Sequence, residues 1–152
     1  MKDLLLKLLA HMRWADALVA DTLESAPTPD AEAERLFAHV ASVEHLWYAR
    51  ILGRPADYAV WPSLTPPASR ALASRHATLL EQLVANADDG VLATLVAYRN
   101  SAGREYRTSV ADIVTHVAMH GSHHRGQIVR QLRASGIEPP YVDYVQFTRR
   151  DQ

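Results

Sequence analysis

The sequence predicts an all-α protein, an antiparallel four-helix bundle with one crossover and a short β-hairpin before the last helix. Long stretches space their apolar residues three and four apart, as a helix with one buried face requires. The prolines fall between those stretches or in a first turn, and Gly is held to 6 of 152 residues while Ala and Leu abound. Apolar residues make up 48% of the chain against 22% charged, the balance of a packed globular chain rather than a disordered one. At this length one domain, 1–152, is expected.

The first helix covers 4–23, with Leu4, Leu8, Ala15 and Leu18 as its stripe, and stops at SAPTPD, where Pro27 and Pro29 cannot continue it. Asp30 is placed to cap the second helix. Its stripe of Leu36, Val40, Val43, Trp47 and Ile51 ends at Gly53, a residue suited to the left-handed position past a helix end. GRPADYAVWPSLTPP reads as the irregular crossover. The third helix starts near Pro66 and Pro67, carries Leu72, Leu79, Leu80 and Leu83, and breaks at Asp88-Asp89-Gly90. Strand-prone residues at 92–98 and 104–110 then flank Asn100-Ser101-Ala102-Gly103, which predicts the hairpin. Ser109, with Asp112 three residues on, resembles a capping box and opens the last long helix, which runs to about Ser135 before Gly136. IEPPYVDYVQF should fold back as a tail across the bundle end.

Composition narrows the chemistry. Sixteen Lys and Arg against 17 Asp and Glu give a formal charge of −1, and Arg149-Arg150 is a short terminal cluster, so neither nucleic acid nor an anionic membrane is the expected partner. A small molecule fits better. With no cysteine there is no disulfide, Cys-based zinc site, iron–sulfur cluster or cysteine nucleophile, and any metal must sit on His, Asp or Glu. Asp3 and Lys7 make the start a poor signal peptide, and no stretch reaches membrane-span length, so a cytoplasmic location is expected. No Glu-x-x-His pair, HExxH motif, phosphate-cradling glycine loop or nucleophile elbow occurs.

Eight histidines are the unusual feature. On the last long helix, with His120 at zero, His116 falls at about −40°, His124 at about +40°, Gln127 at about −20° and His123 at about −60°. This stripe borders the apolar side formed by Val110, Val114, Val117, Ile128, Val129 and Leu132. Histidines four apart can reach one ion, so His116/His120 and His120/His124 both qualify, but a rise of about 12 Å keeps His116 and His124 from sharing it. A third ligand must come from elsewhere. His39, His11 and His76 each lie on the apolar side of their helices and remain candidates. His45 points away from that side, and neither it nor His123 is expected to bind. Arg125 reads as a surface or ion-paired residue, Gly126 as a close helix contact, and Trp14 and Trp47 as core first and pocket wall second.

HVAMHGSHHRGQIVRQLRASG, 116–136, resembles the final-helix signature of the DinB/YfiT-like family of metal-dependent proteins. LFAHVASVEHLWYARILG is similar to the family's second-helix pattern, with His39, Glu44 and Trp47 in place. MRWADALVADTL is similar to its first-helix motif, with Asp16 where Asn is usual. The resemblance covers nearly the whole chain. It implies an antiparallel four-helix bundle, often a homodimer, holding a divalent metal on His39, His120 and His124. Candidate catalytic residues are then His116 and Gln127, able to orient an imidazole or a bound water. His11 and Trp47 are the candidates for lining a cofactor pocket. Three imidazoles leave an open coordination position and suit zinc or nickel, with iron or manganese as further options. Family members include S-transferases that use low-molecular-weight thiols, which implies a metal that activates a thiol for S-transfer. The alternatives are a hydrolase acting through metal-bound hydroxide and a non-enzymatic metal-binding stress-response or interaction module.

Overall fold

The computed structural model describes residues 1–100 and 102–149. Ser101 of the expected turn and Arg150 of the terminal arginine pair lie outside the described residues. Along the chain run α1 (Lys2–Ser25), α2 (Ala31–Ile51), α3 (Pro66–Asn86), α4 (Asp89–Ala93), β1 (Leu95–Arg99), β2 (Glu105–Ser109), α5 (Val110–Ala134) and α6 (Tyr144–Thr148). The protein is mostly helical with one small two-stranded antiparallel sheet.

The long helices begin and end where local chemistry sets them. Asp30 accepts hydrogen bonds from the backbone N–H groups of Glu32 and Ala33 at 3.1 and 3.0 Å, so α2 starts there. Gly53, at φ 64°, follows its end. Pro66 and Pro67 occupy the first turn of α3. At α5 the Ser109 hydroxyl accepts from the Asp112 N–H at 3.1 Å and donates to the Asp112 carboxylate at 2.6 Å, a variant of the expected box.

Two local expectations are corrected. In α1 the core residues are Leu5, Leu9, Met12, Ala15, Val19 and Leu23, while Leu4 is 57% exposed. The Leu4-Leu5-Leu6 and Leu8-Leu9 runs allow two registers, and packing selects the one that also buries Met12 and Val19. The strand expected from Leu92 starts later. Asp88 accepts from the Val91 N–H at 2.8 Å and caps the short α4, which drops Leu92 fully into the core. Within the tail, Tyr144–Thr148 form one helical turn, α6. In the hairpin, Leu95 pairs with Ser109 and Arg99 with Glu105, and the Asn100 side chain accepts from the Ala102 and Arg104 N–H groups to close the turn.

Helices α1 and α2 each pack against both α3 and α5. Apolar residues form two clusters. One joins Leu9, Met12, Leu80, Val84, Ile113 and Val117 beside the hairpin. The other joins Val19, Leu23, Phe37, Leu72, Ile128 and Leu132. Along α1 and α5 the buried Asp16 and Arg125 fall between the two clusters, so a polar layer divides the core.

Candidate metal centre

His39 comes from the middle of α2, and His120 and His124 sit one turn apart on α5. Because α2 packs on α5, all three rings meet. The His39 ring centroid is 5.1 Å from that of His120 and 4.6 Å from that of His124, and the latter two are 4.4 Å apart. One ring nitrogen from each lies within 4.8 Å of the other two. Tetrahedral ligands at roughly 2.0–2.1 Å from a zinc-sized ion are roughly 3.4 Å apart, so small side-chain rotations close the set.

Hydrogen bonds fix which nitrogen of each outer ring is free. His39 Nδ1 lies 2.8 Å from the Val60 carbonyl oxygen, which can only accept, so Nδ1 carries the proton and Nε2 keeps a lone pair. His124 Nδ1 lies 2.7 Å from Gln127 Oε1 and is fixed the same way, while Gln127 Nε2 donates to His123 at 3.2 Å. These are the outer partners that a metal-binding imidazole ordinarily has. Burial also keeps the rings neutral. It lowers the pKa of His39 and of His124, and it drives His120 down to about 3, helped by His124, His39, His116 and His123 around it. Neutral imidazoles are the form that binds a cation, so the donor set fits a borderline divalent metal such as zinc or nickel.

The segment 52–65 closes over this part of α2 through three side chains spaced three apart. His39 donates to the Val60 carbonyl, Ser42 donates to the Ala59 carbonyl at 2.5 Å, and His45 Nε2 accepts from the Asp57 N–H at 2.9 Å. Trp61 is 47% exposed and stacks on His39 at 3.7 Å with planes 8° apart. The Arg35 guanidinium lies over Trp61, itself paired with Glu32. On the other side His116 meets His120 at 5.6 Å and Trp47 at 5.1 Å. Trp47 in turn carries the Arg50 guanidinium on its face.

Other expected residues fall elsewhere. His11 bonds the Val142 carbonyl at 2.8 Å and packs among Trp14, Tyr144 and Phe147, against the C-terminal segment. His76 bonds the Leu72 carbonyl and receives the Nδ1–H of His45 at 3.0 Å. His45 is therefore buried between α2 and α3, a correction to its expected outward direction, because α2 is enclosed on more than one side. Arg125 is 1% exposed and ion-pairs with Asp16 at 2.9 Å. Gly126 has open space where a Cβ would be. Gly121 is the tight glycine, since a Cβ there would stand 2.7 Å from Arg125 Nη1. Sequence reasoning gave no role to Trp61, Ser42 or Arg50; the aromatic crossover was the signal available for the first.

Fold and site together define a class: a mostly helical protein with three histidines, from two helices, placed to share one metal ion. The chain belongs to the DinB family, whose model matches residues 1–152. It is similar in fold to a DinB-like protein of Bacillus cereus ATCC 10987, at 16% identity and a TM-score of 0.55, over 88% of this chain and 91% of that one. No curated protein matches it.

Proposed function

We propose that the protein is a metal-dependent enzyme that activates a low-molecular-weight thiol for S-transfer. The observation that carries this reading is a donor set of three neutral imidazoles with no carboxylate among them. A divalent ion such as zinc or nickel, held by His39, His120 and His124, would supply Lewis acidity that lowers the pKa of an incoming thiol. The chain's own residues do the rest. Val60 and Gln127 hold the His39 and His124 rings in one tautomer. Trp61 shields one side of His39, and His116 stands beside His120, where it can take up or return a proton. No cysteine is needed, because the sulfur nucleophile arrives with the substrate.

The helices support the same frame. We read α1, α2, α3 and α5 as an antiparallel bundle in which 52–65 is the crossover. Trp47 meets His116 while His39 meets His124, so α2 and α5 run in opposite directions.

Turnover of an activated chloroarene by zinc- or nickel-loaded protein, with and without added thiol, tests the reading. Thiol-dependent turnover that disappears in His120→Ala is the expected result. Hydrolysis of activated esters without thiol would replace it with the hydrolase, and metal binding with neither activity would favour a metal-binding interaction module.

A further inference from the structure

Three arginines among the described residues are at least partly buried: Arg50, Arg70 and Arg125. Arg70 holds Asp21 and Glu24, and Arg125 holds Asp16. Among the described residues, no carboxylate pairs with Arg50. Its guanidinium lies 4.5 Å from the ring centroid of Trp47 and 4.8 Å from that of Tyr98, and one Nη2–H donates to the Arg99 carbonyl at 3.0 Å. Several donors of the fork are left over. A guanidinium that is partly desolvated without a counter-charge sits at an energetic disadvantage, which an arriving anion removes.

We propose that Arg50 is the binding point for a carboxylate on the small molecule that the three-histidine centre handles. This rests on reading those histidines as a centre that receives such a molecule. The path from Arg50 to the centre is short and lined by rings. Its guanidinium rests on Trp47, Trp47 meets His116 at 5.1 Å, and His116 meets His120 at 5.6 Å. A ligand that reaches both ends is on the order of 10 Å long, the span of about three residues of extended chain. Charge points the same way. Neutral imidazoles offset none of a divalent cation's charge and no carboxylate joins them among the described residues, so an acidic ligand is complementary to both ends of this path. The opposite flank is not equivalent, because Arg35 is already neutralised by a two-bond contact with Glu32. Burial lowers the Arg50 pKa from the ordinary arginine value, in keeping with a site whose counter-ion is external.

The chemical class that follows is a flexible thiol or thioether acid whose carboxylate lies several bonds from its sulfur. Succinate is a suitable probe for the Arg50 end because it has no sulfur, so its binding does not depend on the metal reading. Following the Arg50 Nε–H and the Trp47 indole N–H by NMR, in metal-loaded and metal-stripped protein, should show saturable shifts with succinate and none with uncharged succinamide. Arg50→Gln should weaken succinate binding about tenfold or more, the worth of a charge-assisted hydrogen bond. Arg50→Lys should retain part of it, and Arg54→Gln, on the neighbouring exposed arginine, all of it. Equal response to succinamide, no saturable shift, or unchanged affinity in a folded Arg50→Gln protein would overturn the proposal. A protein that binds succinate at Arg50 but takes up no metal would remove the thiol reading and leave this site standing.

Discussion

Asp16, Glu44 and Arg125 meet in the polar layer of the core, and their charges must balance there. Arg125 Nη1 donates to Asp16 at 2.9 Å, yet among the described residues Asp16 Oδ2, both Glu44 oxygens and Arg125 Nη2 are buried without a hydrogen-bond partner. A proton on Glu44 reconciles the two acids, because Glu44 can then donate to the Asp16 carboxylate. Burial, and next the charge of Asp16, push the Glu44 pKa well above its ordinary value. The layer therefore carries one carboxylate, one guanidinium and one neutral acid. Above an unfolded value near 4.5 the unfolded chain loses the Glu44 proton while the folded chain keeps it, so this residue draws stability down as pH rises. Glu44→Gln should remove that slope and leave the protein at least as stable at neutral pH. Asp16→Asn should be tolerated, with Glu44 ionising in its place. The double variant strands the guanidinium and should cost about 3–5 kcal/mol in denaturant unfolding. A Glu44→Gln protein as unstable as the double variant would contradict this account. The motif resemblance already marked Asp16 and Glu44, and placed Asp where Asn is usual. What it could not show is that Arg125, far along the chain, folds back over Gly121 to meet them.

At the scale of elements, the face of α2 fastens the 52–65 segment. His39, Ser42 and His45 each bond its backbone, and His45 passes its Nδ1–H to His76 of α3. This chain works only with both imidazoles neutral. The Asp57 N–H donates into His45 Nε2, His45 donates into His76 Nε2, and His76 Nδ1 donates to the Leu72 carbonyl. Burial lowers both pKa values below 6.5. As pH falls past 6.5 the unfolded chain takes up protons that the folded chain refuses, so stability is lost on acidification. Replacing the pair by His45→Gln with His76→Gln should make the loss of stability below pH 6.5 less steep, the remaining slope belonging to the other buried histidines; an unchanged slope by thermal unfolding would contradict it. The long helices were legible because proline, Asp30 and Ser109 mark their limits. The short α4 was missed because one cap, at Asp88, outweighed the strand-like composition after it. The 52–65 segment was legible as irregular, but its bonds to α2 were not, since nothing in a single sequence pairs residue 42 with 59.

For the whole molecule, two helices far apart in sequence each supply part of one candidate donor set, so any ion bound there would be linked to the folded state. A cation that binds only the folded chain, at one hundred times its dissociation constant, adds about 2.7 kcal/mol. The final-helix histidines were readable from their spacing. The third ligand was not, because His11, His39 and His76 all face inward and only the resemblance chose among them. The fold separates them: His11 lies against the tail, His76 against His45, and His39 against His120 and His124. Elemental analysis of purified wild-type and His39→Ala protein, each reloaded with zinc or nickel and checked for helical content, tests that convergence most directly. The account predicts one tightly held ion per chain in the wild type and none in a folded His39→Ala protein. One ion per chain retained in that variant would contradict it.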